Sequence, residues 1–248
     1  MRKHLATAVL TLLCLSAKAQ PASITLPPEF VESAIPAVHS DEWLALNHSS
    51  PGFTVSLQNG ELVIGRYKAR EDDTLKVNGG TLIGVDNGEW GGELLFQPDD
   101  TAAEPTQIVY GNINFIFRFN GKIYFTDGLA HLGLEWGMLY ELLPRKRTGK
   151  FKIRKVLNLH SAPLAYTSYN NQLLAATHKS FLVVENEKVT SSFEDMFWNC
   201  LYPNSIAVFD HENVLVGIRG GIVKLNLSTK DVTFYKYQPT ANAPCSES

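Results

Sequence analysis

Asn78-Gly79-Gly80-Thr81-Leu82-Ile83-Gly84 is a turn running straight into a short apolar strand, and the same unit returns three more times along the chain. Asn120-Gly121 precedes Lys122-Ile123-Tyr124-Phe125, Asn170-Asn171 precedes Gln172-Leu173-Leu174-Ala175, and His211-Glu212-Asn213 precedes Val214-Leu215-Val216-Gly217. The steps between Asn78, Asn120, Asn170 and Asn213 are 42, 50 and 43 residues. A second recurrence keeps the same period: Glu89-Trp90-Gly91 and Glu135-Trp136-Gly137 start 46 residues apart. Self-similarity at this interval is what one supersecondary unit copied along a chain produces.

Around these units the apolar residues alternate with a period of two. Phe53-Thr54-Val55-Ser56-Leu57 alternates, Asn59-Gly60 supplies a two-residue hairpin turn, and 61–65 form the return strand. Further strands are expected at 94–97, 106–110, 114–119, 138–142, 151–157, 165–168, 181–185, 205–209, 222–227 and 232–237, with one short helix at 192–198. Many short strands between Asn-Gly, Gly-Gly and Asp-Gly turns define an all-β protein, either sandwich, barrel or propeller. The repeat decides among them, because a sandwich has no reason to recycle a motif every 40 to 50 residues whereas a propeller blade is a four-stranded sheet of about that length.

The chain therefore resembles a β-propeller-type repeat protein of the bacterial envelope. The resemblance implies a small propeller of four or five blades, with the opening hairpin completing the last blade and removing an open edge. It carries neither the Trp-Asp pattern of one propeller family nor the kelch pattern of another, so no specific family follows.

Arg2-Lys3, the apolar run from Leu5 to Leu15, and Ala17-Lys18-Ala19 satisfy the three regions of a secretory signal. The expected division is a signal peptide at 1–19, an extended lead-in at 20–51 with one helical turn at 29–33, the propeller at 52–240, and a tail at 241–248. The apolar run is too short to span a bilayer and no later run is longer, so no membrane insertion is expected and the location is periplasmic or secreted. Removing Arg2, Lys3 and Lys18 takes 22 basic residues to 19 against 25 acidic, a net charge of about −6. An acidic chain without a lysine or arginine stripe excludes a nucleic-acid partner. Cys200 and Cys245 remain after cleavage, and in an oxidising compartment they form one disulfide or stay as two separate thiols.

Aligning the repeats by their apolar strands puts one polar turn after each second strand. Asp86, Asp127, His178 and Arg219 fall there, 41, 51 and 41 residues apart, and would share one rim. Turn positions prefer such residues for backbone reasons alone, so the alternative is plain turn chemistry. Glu89, Trp90, Glu135 and Trp136 allow two readings: indoles and carboxylates offered to a partner, or each Trp wedged between blades with each Gly at a positive-φ turn, the commoner outcome for a large aromatic. His131, His160, His178 and His211 lack a second His or Cys at ligand spacing, so no metal and no cofactor is expected, with an ion held in the central channel by Asp86 or Asp127 as the one alternative left open.

No phosphate loop or nucleophile elbow is present. The leading functional reading is an exported protein-interaction module, an inhibitor or immunity-type binder of an envelope enzyme. A lectin-like propeller binding a glycan through the Trp and acid groups is the first alternative. A propeller hydrolase or lyase using Asp86, Asp127, His131, His178 and Arg219 is the second.

Overall fold

The computed structural model describes residues 24–69, 72–100, 102–145 and 150–239. The expected signal peptide, the tail, and Cys245 with its pairing to Cys200 lie outside the described residues.

The chain opens with β1 (Phe30–Ser33), α1 (Asp41–Ser49) and a hairpin of β2 (Phe53–Gln58) and β3 (Glu61–Arg66). Blade one follows as β4 (Asp73–Val77), β5 (Gly80–Asp86), β6 (Gly92–Pro98) and β7 (Thr106–Tyr110). Blade two is β8 (Ile113–Phe119), β9 (Lys122–His131), β10 (Leu134–Pro144) and β11 (Phe151–Asn158). Blade three is β12 (Pro163–Tyr169), β13 (Gln172–Thr177), β14 (Phe181–Glu185) and β15 (Lys188–Phe193). Blade four is β16 (Ser205–Asp210), β17 (Asn213–Ile218), β18 (Gly221–Leu225) and β19 (Val232–Tyr237). Each blade is an antiparallel meander with its strands in chain order, so the fold is an all-β propeller of four blades, three of four strands and the last extended to five by β1, plus a two-stranded hairpin.

The first strands meet at the centre: β8 packs on β4 and β5, β12 on β8 and β16, and β16 on β2. A second strand lies between two neighbouring blades and buries both faces, so it loses the period of two. All six residues of β17 are buried, as are Leu173–Thr177 of β13. Tight turns set the registers. Asn59 and Gly60 are both at positive φ, as are Asn120 and Gly121, and such turns carry the twist that paired strands need.

Four expectations are corrected. The last blade is completed by β1, which pairs with β19 from Phe30↔Tyr237 to Ser33↔Phe234 where a helical turn was expected. The hairpin β2–β3 forms its own small sheet against β16 and β17, with Val55 N–H donating to Ser205 Oγ at 2.8 Å. Gly217 is required there, since a Cβ on it would run into the Phe53 carbonyl oxygen. The lead-in also contains α1, started by Ser40, whose side chain accepts from Trp43 N–H at 3.2 Å, and by Asp41 and Glu42 in the first turn. Finally, 192–198 is not a helix. β15 runs to Phe193, which packs edge-on to Phe181, and Met196, Phe197 and Trp198 are all buried, which a helix with one dry face could not achieve.

Candidate functional site

Within each blade the first and third strands begin, and the second ends, at the same end of the ring; the connections between blades run over that end too. All nine candidate residues, Asp86, Glu89, Trp90, Asp127, His131, Glu135, Trp136, His178 and Arg219, stand on the segments that meet there. Eight of them form four separate groups, not one constellation, and Trp136 stands apart from all four.

The first group is at the mouth of the central cavity, a space of about 380 Å³ whose walls include Asp72, Asp73, Asp86, Asn114, Tyr202 and Asn204. Asp86 Oδ2 accepts from Asn114 Nδ2 at 2.7 Å, and Asp86 Oδ1 accepts from Gly88 N–H at 3.0 Å. Asp127 lies behind them, more buried. Loss of hydration pushes its carboxyl up to about 6 and the Asp86 charge adds to the rise, against the lowering effect of a hydrogen bond from the Asn112 backbone.

The second group lies across blades one and two. Trp90 sits in a 3-10 turn (Gly88–Trp90) between β5 and β6 and is 80% exposed. This overturns the wedge reading for Trp90. Leu132 is 93% exposed at the tip of the β9–β10 hairpin, and Tyr110 and Leu134 are exposed beside them. Tyr110 Oη donates to the Trp90 carbonyl at 3.4 Å, and His131 Nε2 meets Glu89 Oε2 at 2.7 Å across the blade boundary.

The two Glu-Trp-Gly triplets are not equivalent in space. Gly91 has φ +82 in a turn, but Gly137 lies inside β10, where a Cβ would run into the Ser161 carbonyl oxygen. Positive φ therefore explains the first glycine and close approach explains the second. Trp136 is half-buried in β10, opposite Leu129 of β9.

The third group is centred on Glu135 at the junction of blades two and three. Glu135 Oε1 accepts from Ser161 Oγ and lies 3.1 Å from His178 Nδ1, and Lys179 Nζ pairs with Oε2. Burial raises the Glu135 carboxyl, but the Lys179, Ser161 and His178 contacts outweigh it and hold the group below its ordinary value. His178 Nε2 in turn lies 4.0 Å from Cys200 Sγ. The fourth group is Arg219 alone. Its Nη1 donates to Asn47 Oδ1 at 2.9 Å and to the Asn47 carbonyl, and its guanidinium stacks 4.7 Å from the Tyr202 ring centre. Arg219 thus fastens α1 to blade four, a role that the even spacing did not reveal.

Of the five residues of the hydrolase reading, Asp86 alone lines the central cavity. His131, His178 and Arg219 are each committed to a different partner. Sequence reasoning missed Asn112, Asn114 and Ser161, which look like ordinary residues at strand entrances and acquire significance only from neighbouring blades. It also missed Glu187, at the opposite end of the ring, which accepts from Arg154 at 2.7 Å and Lys122 at 2.8 Å and has its carboxyl lowered to about 2 by them. Among the described residues no helix is long and apolar enough to cross a membrane.

No protein-family model matches the chain, and no curated protein does. Solved structures similar to it include the extracellular domain of a one-component system from B. thetaiotaomicron, at 15% identity over 70% of this chain and 28% of that one, with a TM-score of 0.43. The WD40 domain of Neurospora crassa Pan2 is 12% identical over 84% of this chain and 55% of that one, TM-score 0.39. A gluconolactonase from Xanthomonas campestris is 12% identical over 85% of this chain and 88% of that one, TM-score 0.37. This chain thus spans less than a third of the first of these and about half of the second. Identity this low says nothing about what the site binds.

Proposed function

We propose that this propeller is an exported protein-interaction module whose partner docks over blades one and two. The observation that carries the reading is the exposure of Trp90 beside Leu132, Tyr110 and Leu134. A bare Trp, Tyr and two Leu on neighbouring blades is the composition of an interface centre, since aromatic anchors dominate binding energy when a partner removes water from them. The blades hold that surface in place, so little ordering entropy is lost on docking. Glu89 flanks it on an acidic chain, which favours a partner with an apolar pocket and a basic rim. The two exposed leucines favour a protein over a glycan, because a sugar offers hydroxyls that aliphatic side chains cannot satisfy. An envelope enzyme held inactive by the module is the partner class this reading favours.

The test compares capture from envelope extracts by the wild-type chain, Trp90→Ala and Leu132→Asp, with a glycan array in parallel. A protein retained by the wild type should bind Trp90→Ala at least about thirtyfold more weakly, the loss expected of a central aromatic anchor. Capture indifferent to both substitutions, or a glycan ligand lost with Trp90, would overturn the proposal.

A further inference from the structure

We infer that the junction of β5, β8 and β9, which borders the central cavity at Asp86 and Asn114, binds a hard divalent cation, Ca2+ by its all-oxygen donor set, through Asp86 and Asn114 and, behind them, Asp127 and Asn112. The inference is independent of the docking surface.

Asn114 is held at the centre of this junction by both of its neighbours. A register shift between Ile113 and Phe115 marks a bulge at Asn114, the kind of irregularity that re-aims a side chain. Its Nδ2 donates at 2.7 Å to Asp86 Oδ2 and at 3.2 Å to the Gly128 carbonyl. Both amide hydrogens are therefore used, and turning the amide over would set its oxygen against those two acceptors. The oxygen is thereby fixed, and Asn114 Oδ1 meets no donor although the residue is only 7% exposed.

Asn112 is 4% exposed and its Oδ1 is likewise without a donor, as is Asp127 Oδ1. Each such buried acceptor destabilises the fold if nothing satisfies it. The three belong to one neighbourhood: Gly111, next to Asn112, lies against the Asp127 carboxylate, Ile113 pairs with Asp127 across β8 and β9, and Asn114 bonds both Asp86 and the carbonyl of Gly128, the residue after Asp127. Among the described residues neither carboxylate forms an ion pair with Lys, Arg or His, unlike the Glu135 and Glu187 clusters. Two uncompensated carboxylates beside amide oxygens with free lone pairs call for positive charge and several oxygen bonds at once, which a divalent cation supplies and a single hydrogen-bond donor does not. The donor set contains no sulfur and no imidazole, so it selects calcium-like ions over zinc or copper. Thr126 Oγ1 is a fourth buried acceptor without a donor, but it follows the opposite face of β9 from Asp127 and is not part of the set.

Two carboxylates and neutral amides make a weak site, with dissociation on the order of 10⁻⁴ M. The experiment is calorimetric titration and thermal melting of the chelator-treated full chain with CaCl2, MgCl2 and MnCl2. One Ca2+ should bind per chain and raise Tm. Asp86→Asn and Asp127→Asn should each weaken it at least about tenfold, while Glu89→Gln, at the same end of the ring but outside the set, leaves it unchanged. Both Asn variants keep side-chain shape and remove an unpaired charge, so they should fold; circular dichroism checks this. No binding of any of the three ions at about 5 mM by folded wild-type protein, or affinity unchanged in both variants, would overturn the inference.

Discussion

Trp43 and Trp90 stand over the same end of the ring and meet opposite surroundings. Trp43, on α1, is 2% exposed, with its indole N–H donating to the Phe197 carbonyl at 2.7 Å; Trp90 has no such roof. Over blades three and four, α1 joins a continuous apolar core in which Trp43 and Leu46 pack with Phe181, Trp198, Val216 and Phe234. Among the described residues no element covers blades one and two as α1 covers the other half, and Trp90 and Tyr110 stay exposed there. The difference teaches that an exposed Trp in this fold is not a defect of packing. The described residues close one half of the rim with a dedicated helix and leave the other half open, and the open half is where the proposed partner would have something to bury.

The sharpest break of this comparison is to truncate both indoles. Trp43→Ala removes a fully buried ring and strands the Phe197 carbonyl, and should lower the unfolding free energy by about 3–5 kcal/mol in chemical denaturation. Trp90→Ala should change it by less than about 0.5 kcal/mol. Equal losses would mean that blades one and two also depend on their aromatic residues for folding, and the open-half reading would fail.

A smaller effect sharpens the boundary between the halves, where Glu135 ties β10 to the start of blade three and to the β13–β14 turn. The carboxyl is held below the ordinary 4.5, with burial opposed and outweighed by Lys179, Ser161 and His178. A folded-state value below the unfolded one means the charged group adds stability above the unfolded value, and that contribution is lost as pH falls through the folded value. Glu135→Gln should therefore cost about 1.5–3 kcal/mol at pH 7, the range for hydrogen bonds to a charged group. The gap between variant and wild type should close progressively as pH falls below about 4.5. A gap independent of pH would show that shape, not charge, holds this junction.

How much of this was written in the chain follows from how local each feature is. The turns at Asn59-Gly60 and Asn120-Gly121 announce themselves because two adjacent residues at positive φ have few chemical solutions, and the strands between them follow from alternation. The spacing of Asp86, Asp127, His178 and Arg219 follows from the same periodicity. Their partners do not, since Arg219 is claimed by Asn47, 172 positions away, and Glu135 by three groups on the next blade. The helix α1 was legible in principle from Ser40-Asp41-Glu42 but lay among prolines that suggested an extended segment. The pairing of β1 with β19 joins the two ends of the propeller, and no local pattern encodes which strand closes a ring.

The smallest effect tests the open half directly. Glu89 and His131 meet at 2.7 Å with side chains 45% and 41% exposed, so their contact is well hydrated and screened. Glu89→Gln should cost at most about 0.5 kcal/mol in stability, and even that should vanish in high salt. Its effect on partner capture should also be modest and should lie in the association rate, because a rim charge steers encounter while the aromatic centre sets the lifetime of the complex. A loss of several kcal/mol would instead make the Glu89–His131 contact a structural seam between blades one and two. Trp90 and Leu132 would then be the edges of that seam, and the distinction between a roofed and an open half would have to be redrawn around it.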